Sequence, residues 1–310
     1  MMRGRKFDHT NQPMHSSNAL YTDLSGYYDL MCADIDYQAQ SQSARRLHQF
    51  FGGDGRTHLD LACGTGPHIE HFLAAGFDCT GLDLNQPMLD LAKQRCPTAQ
   101  FLQQNICDFQ LEQPVDVITC FLYSLHYAGD TQGLTACINK VLAALNPGGV
   151  FCFNAVDKDK IDNNSYVRHS AVFDDSHFVF ESGWNYSGAG EKQTLNLSIE
   201  KTTADLKQLW QDQHPMVAVS FAELEKLLQA TEMPPALHAF VQRQVDDIRA
   251  ALRMYPIQGI KALKKAVDTA TGAFATPDEA VVEEFERAGP EAKGVFKKAF
   301  DVLKQAAEVA

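Results

Sequence analysis

Gly64 and Gly66 stand one residue apart in HLDLACGTGPHIEHF, the stretch covering residues 58 to 72. An apolar run carrying an acid precedes them, and a helical pattern follows. Without a Cβ, glycine lets a backbone turn sharply and lets a ligand approach the main chain. A phosphate cradle of the form G-x-x-x-x-G-K-[ST] needs Lys-Ser or Lys-Thr after its second glycine, and none follows here. A dinucleotide turn, G-x-G-x-x-G, needs a third glycine for pyrophosphate approach and close helix packing. Ile69 occupies that third position. A nucleoside without phosphate asks only for close backbone approach. A plain tight turn between strand and helix would use the same two glycines with no ligand at all.

Further residues bear on the choice. Asp83 closes the segment TGLDLN, 17 residues after Gly66, where a carboxylate can accept hydrogen bonds from two ribose hydroxyls. The segment FLQQNICDF offers polar groups for an adenine edge, and VDVITCFLYSLHY carries Phe121, Tyr123, His126 and Tyr127. S-adenosylmethionine, an adenosine with an amino-acid tail and no phosphate, fits this set, while a nicotinamide dinucleotide fits it less well. His126 and Tyr127 are candidates for handling a proton. Aromatic rings at Tyr21, Tyr28, Phe121 and Tyr123 could surround a sulfonium or an amine by cation–π attraction. His169, His177 and His214 are scattered and form no metal triad, so no metal is expected.

The elements that must position these residues follow from periodicity. Short apolar runs alternate with helical stretches: THLDLAC, HIEHFLAAG, DCTGLDL, MLDLAKQRC, AQFLQQN, VDVITCFL, LTACINKVLAAL and, after a turn at NPGG, GVFCFNAV. Strands alternating with helices predict a doubly wound, mostly parallel, Rossmann-like α/β sheet with ligands at the carboxyl ends of its strands. From residue 177 to 219 the pattern becomes strand alternation without helices, an antiparallel insertion added to one side of the sheet. Ser220 is the expected N-cap of SFAELEKLLQA. Beyond residue 232 the chain has neither Cys nor Trp. Apolar residues at helical spacing, from Leu237 through Tyr255 and again from Val295 to Leu303, predict a helical extension over 233–310. Thr276-Pro277-Asp278-Glu279 has the form of a helix start. The expected division is therefore a flexible N-terminus over 1–20, one domain over 21–232 and the extension.

Composition narrows the function classes. The net charge of −12 lies wholly before Met233: residues 1–232 hold 16 basic and 28 acidic residues, against 11 and 11 after them. An acidic body argues against nucleic acid as a partner and for small neutral or cationic substrates. No window approaches a membrane span, and the polar first twenty residues show no signal sequence, so a soluble cytoplasmic protein is expected. The eight cysteines form no CxxC pair and fit buried free thiols.

Taken together, LDLACGTGPHIEHF, GLDLNQPMLDLAKQR and ALNPGGVF resemble the class I S-adenosylmethionine-dependent methyltransferases over residues 21 to 230. CDFQL and LYTDLSGYYDL bring the chain nearest to small-molecule N-methyltransferases that dimethylate amino sugars, and more loosely to glycine N-methyltransferase. The resemblance implies that Gly64 and Gly66 lie under the methionine part of the cofactor, with backbone contacts from Ala62 and Cys63. Asp83 would hold the ribose; Leu84 and Met88 would flank the adenine. Asn105 and Ile106 stand where the family has Asp-Met. Tyr21 and Tyr28 would belong to a lid, with Tyr21 beside the catalytic candidates. It further implies that the antiparallel insertion forms part of the substrate wall, and that the family's histidine aligns opposite Tyr127, one residue after His126.

One departure is visible at this stage. The two strands that usually close the sheet after SFAELEKLLQA are not found, which leaves an edge open. The tail would cover that edge, form a homodimer or bind a partner, or pack as an independent hairpin. Methyl transfer to the nitrogen of a small-molecule acceptor is the leading reading. Methyl transfer to oxygen, a nicotinamide oxidoreductase, and a non-catalytic interaction protein built on a degenerate methyltransferase body stand as alternatives.

Overall fold

The computed structural model describes residues 14–15, 19–22, 24–51, 54–204, 206–228, 265, 269–270, 273, 277 and 279–287. The chain divides into two compact units, residues 1–228 and 229–310.

The first unit contains two five-stranded sheets. One is parallel and is built from β2 (Thr57–Leu61), β3 (Asp78–Asp83), β4 (Gln100–Gln103), β5 (Val115–Cys120) and β6 (Leu145–Phe153), in the order β4-β3-β2-β5-β6. Helices α3 (Pro67–Ala74), α4 (Gln86–Arg95) and α5 (Thr131–Ala144) make its crossovers. Two further helices, α2 (Tyr37–Phe51) and α6 (Phe221–Leu228), flank them in sequence. Ala44 of α2, Ile69 and Phe72 of α3 and Leu89 of α4 share one apolar cluster with Val117. Ile138 and Val141 of α5 and Leu224 of α6 share another with Leu59, Leu61 and Ile118. The central strands β2, β3 and β5 thus bury side chains on both faces, while the outer strands β4 and β6 are half-buried.

The second sheet differs from its expected form in three ways. It is a separate sheet, not an addition to the parallel one. It begins at Tyr166 rather than 177, and comprises β7 (Tyr166–Phe173), β8 (Ser176–Tyr186), β9 (Lys192–Thr202) and β10 (Lys207–Val217) in antiparallel succession. Arg168, His169 and Ser170 interrupt the alternation of β7, which is why it escaped the pattern. Its fifth strand comes from before the expected domain start: β1 (Met14–His15) pairs parallel with β10, Met14 opposite Trp210. The stretch expected to be a flexible terminus thus holds a paired strand and Leu20, which is 1% exposed. Leu20 and Leu24 form a third core with Phe178, Phe180, Leu197 and Ile199 beneath this sheet. The short helix α1 (Tyr28–Met31) follows in the same segment.

The turn expected at NPGG lies inside β6. The partner of β5 jumps from Leu145 to Val150 between Val115 and Val117, a bulge that takes up the extra residues with Gly148 at φ 83. Among the described residues, β6 has β5 as its only strand neighbour. A capping box starts α6: Glu223 N–H donates to Ser220 Oγ at 3.2 Å, and Ser220 N–H donates to Glu223 Oε2 at 2.7 Å.

In the second unit the described helix is α7 (Glu279–Arg287), where Arg287 pairs with Glu283 at 3.2 Å. The stripes expected at Leu237–Tyr255 and Val295–Leu303, and the cap residues Thr276 and Asp278, lie outside the described residues. No described helix is long and apolar enough to cross a membrane. All eight cysteines are free.

Candidate functional site

The carboxyl ends of β2 and β3 open into a pocket lined in part by Ala62, Gly64 and Asp83. The turn after β2 is held by its own acid. Gly64 N–H donates to Asp83 Oδ2 at 2.9 Å, and Asn85 N–H donates to Oδ1 at 2.8 Å. Burial pushes the Asp83 carboxyl up, while these amide donors pull it back down. Asn85 Nδ2–H also donates to Oδ1, at 3.3 Å, so the lone pair left for a ligand hydroxyl is on Oδ2. Gly64 has φ 55, and a Cβ there would come within 3.7 Å of the Tyr28 ring. Its neighbour Ala62 takes φ 53 with a side chain present, a strained choice for a non-glycine residue.

Gly66 does a different job from the one expected. It does not line the pocket. It caps α3 at φ 82, and a Cβ there would press to 3.2 Å on Ala92 of α4. The third-glycine position is resolved by exchange: Gly81 of β3 leaves the room that Ile69 fills, since a Cβ at Gly81 would lie 2.6 Å from the Ile69 side chain. Helix-to-strand closeness is thus kept with the small residue on the strand.

The apolar floor comes from Met88, 1% exposed, and Ile106, 8% exposed, with Leu84 on the open rim at 60%. Asn105 lines the same wall, but its Oδ1 already accepts the Cys107 N–H at 2.8 Å. Its amide N–H groups and one remaining lone pair are what it can offer an adenine. Gln104, Asn85, Leu122 and Ser124 complete the wall and were not foreseen. Leu122 and Tyr123 share the strain of Ala62, at φ 53 and 63 just past β5. No glycine or asparagine marks that bend in the sequence, so nothing there signalled it.

The roof is the N-terminal segment. Asp29 of α1 accepts the Thr65 hydroxyl and pairs with Arg95 of α4, which pins α1 to the glycine turn. Tyr28 is thereby set over Gly64. Tyr21 and Tyr127 meet hydroxyl to hydroxyl at 2.8 Å, and both line the pocket. Burial pushes Tyr21 up to about 12 and Tyr127 well above its ordinary value, so both phenols stay protonated.

Besides Gly66, three expected site residues stand elsewhere. Cys63 is 5% exposed and off the pocket wall. Phe121 packs on His68, ring centroids 4.7 Å apart, and lines a cleft beside α2 and β6. His126 corrects the expectation of a proton handler. Val156 N–H donates to its Nε2 at 2.8 Å, so its Nδ1–H donates to the Val217 carbonyl, also at 2.8 Å. With both nitrogens engaged by backbone and burial lowering its pKa, this imidazole is a neutral brace between β10 and the end of β6. A different histidine lies by the tyrosine pair. His214 of β10 has its ring centroid 5.4 Å from Tyr21 and 5.8 Å from Tyr127. Neither of its nitrogens has a hydrogen-bond partner, and Asp212 lies 3.9 Å away.

Tyr21, Tyr28 and Leu122 also wall a second cavity of about 520 Å³, which extends to the inner face of the antiparallel sheet at Trp184 and Leu197. Two cavities thus share one partition. The arrangement can hold a nucleoside on the parallel sheet and a second molecule against the antiparallel one, with their near ends at the tyrosine pair.

A parallel sheet with an acid-pinned glycine turn at its switch point defines a nucleoside-binding α/β protein. Residues 59–149 match the family model described as a methyltransferase domain. The chain is 34% identical over 130 residues to a dTDP-3-amino-3,4,6-trideoxy-alpha-D-glucopyranose N,N-dimethyltransferase of Streptomyces venezuelae, covering 41% of this chain and 55% of that protein. It is 33% identical over 115 residues to a dTDP-4-amino-2,3,4,6-tetradeoxy-D-glucose N,N-dimethyltransferase of Saccharopolyspora spinosa, covering 37% and 46%. The chain therefore spans about half the length of these curated relatives. The crystal structure of Streptomyces venezuelae DesVI matches with a TM-score of 0.60 at 25% identity, over 66% of this chain and 88% of that one. That of the sugar N-methyltransferase KedS8 from a Streptoalloteichus species matches at 0.61 and 19% identity, over 74% and 90%. Residues 59–149 are a methyltransferase domain, carried on the fold of the class I methyltransferases.

Proposed function

We propose that this protein transfers a methyl group from S-adenosylmethionine to an amine nitrogen of a small-molecule acceptor. The observation that carries the reading is the pair of cavities divided by Tyr21, Tyr28 and Leu122. The residues present fit the cofactor: a buried carboxylate with a free lone pair on Oδ2 for the ribose, a bare backbone at Gly64, and an apolar floor. The names of the curated relatives, which are sugar amine N,N-dimethyltransferases, support nitrogen over oxygen. When bound, the cofactor supplies a methyl group already activated by its sulfonium.

The protein's own part is alignment and exclusion of water. Asp83 and Gly64 fix the nucleoside end. The Tyr28 ring lies against the glycine turn, where an aromatic ring attracts a sulfonium. The protonated hydroxyls of Tyr21 and Tyr127 orient the acceptor nitrogen by hydrogen bonding. That nitrogen forms its bond to carbon as the carbon–sulfur bond breaks, and the electron pair of the broken bond leaves with sulfur. The extra proton then departs from nitrogen. His214 stands behind the tyrosine pair, held neutral by burial, lines neither cavity and has no hydrogen bond to either phenol, so the proton passes to water.

Isothermal titration with S-adenosylmethionine tests the reading. Binding is expected, and Asp83→Ala should weaken it by about tenfold or more, the loss of a hydrogen bond to a charged group. An unchanged affinity in a variant with unaltered circular dichroism would overturn the assignment.

A further inference from the structure

The second cavity has a chemistry that its place beside the nucleoside pocket does not dictate. At about 520 Å³ it has the size of a small-molecule site. Tyr123 and Trp184 form one wall, edge to face with ring centroids 5.6 Å apart. Tyr123 is set there at a cost. Its backbone and that of Leu122 both sit at positive φ, which for non-glycine residues costs on the order of 1–2 kcal/mol each. Its N–H is held by Asn154 Oδ1 at 2.8 Å. Strain kept at a cavity wall signals that the ring's position is used.

The charges point the same way. The acids whose side chains can reach the cavity are Asp34 and Asp162, since Glu181 alternates to the other face of β8 from Phe180 and Trp184; against them stand His169 and one lysine, Lys160. That lysine is already engaged: its Nζ lies 3.3 Å from Asp157 and 5.2 Å from the centre of the Phe221 ring. No arginine lines the cavity among the described residues. A nucleoside diphosphate brings two or more negative charges and is recognised by arginine forks, lysines or backbone amide nests. An acidic, aromatic wall repels that group and attracts a cation.

We propose that this cavity takes its acceptor as a phosphate-free organic cation, an ammonium on an apolar or aromatic body, and not as a nucleotide-linked sugar. The proposal rests on the methyl-transfer reading above and names the substrate class of that same site. Aromatic faces at Tyr123 and Trp184 hold the body of the acceptor, and Asp34 and Asp162 attract its charge. The ammonium gives up a proton before its nitrogen can attack, so it binds charged and reacts neutral.

The test titrates the full-length protein calorimetrically with 2-phenylethylamine and, separately, with dTDP. The amine should bind at least ten times more tightly than dTDP, and its affinity should fall as salt is raised. The double substitution Asp34→Asn with Asp162→Asn should weaken the amine about threefold or more without weakening dTDP, and Trp184→Ala should weaken the amine further. Tighter binding of dTDP, no binding of the amine, or indifference of the amine to both substitutions would each overturn the proposal. Thermal melts of the variants confirm that they fold. A parallel titration with S-adenosylmethionine separates the two readings: intact cofactor binding with failed amine binding sinks the acceptor class alone, whereas lost cofactor binding sinks the methyl-transfer reading beneath it.

Discussion

The parallel and the antiparallel sheet solve recognition in opposite ways. On the parallel sheet the ligand-facing surface is mostly main chain, shaped by a glycine turn and fixed by one carboxylate, Asp83. Around the antiparallel sheet it is side chain, with the strained Tyr123 and Trp184 in the lead. Main-chain recognition tolerates few changes of residue type, because only glycine leaves the backbone bare. Side-chain recognition can be rewritten residue by residue without touching the fold. The cofactor half is therefore constrained by geometry, and the acceptor half is where a protein of this architecture acquires its own substrate.

The largest expected effect probes what the parallel half conceals. Asp60 lies 2% exposed beneath the glycine turn. Its Oδ1 accepts the Thr119 hydroxyl at 2.6 Å, and Thr119 in turn accepts from His58 Nε2–H at 2.8 Å. Oδ2 has no hydrogen-bond partner. His68 is 4.0 Å away, but burial holds that imidazole down to about 3, so it is neutral and the contact is no ion pair at pH 7. Burial pushes Asp60 from 3.8 up to about 7. The folded state then binds more protons than the unfolded one between those two values, so stability falls as pH rises through that window. Asp60→Asn keeps an acceptor for Thr119 and removes the penalty. Urea unfolding should show the variant more stable than the parent by up to about 4 kcal/mol at pH 8 and near parity at pH 4. Equal differences at the two pH values would show the acid to be paired in the folded state, and the two halves to be less different than they look.

The next effect tests the seam between the halves. His126 ties the loop after β5 to β10 and to the end of β6 through two backbone hydrogen bonds. His126→Ala leaves a buried carbonyl and a buried N–H unmatched, about 1–3 kcal/mol for each. A fall in melting temperature is expected, with no change in the pH at which activity is half-maximal. A shifted pH profile without a stability loss would return His126 to proton handling and move the brace elsewhere.

How much of this was legible follows from the same contrast. The order of strands and helices from Thr57 to Phe153 could be read because short apolar runs alternate with helical stripes. That Asp83, Gly64, Met88 and Ile106 would line one pocket was legible because the carboxyl ends of strands meet at a switch point. The antiparallel half resisted. Tyr166–Phe173 is largely exposed and shows little alternation, and β1 is a two-residue strand that joins β10 across nearly two hundred residues of chain. His214 lacked any signal, since its meaning comes from Tyr21 and Tyr127, which only folding brings beside it. His126 and Phe121 were misassigned because a strand end places neighbouring side chains alternately toward a ligand and toward the core. Sequence alone does not say which is which once the backbone turns through positive φ at Leu122 and Tyr123.

That positive φ gives the smallest prediction and the sharpest form of the comparison. Ala62 bends the cofactor half at φ 53, as Leu122 bends the rim of the acceptor half. If the parallel half needs only a bare backbone at its turn, Ala62→Gly relieves strain and removes nothing that binds. Unfolding stability should rise by about 1 kcal/mol, the left-handed penalty less the extra chain entropy of glycine, and the affinity for S-adenosylmethionine should hold. Leu122→Gly relieves the same strain but deletes part of the partition between the cavities. It should therefore gain less stability, or lose some, and weaken acceptor binding. Equal outcomes at the two positions would mean that both halves recognise their ligands through the main chain.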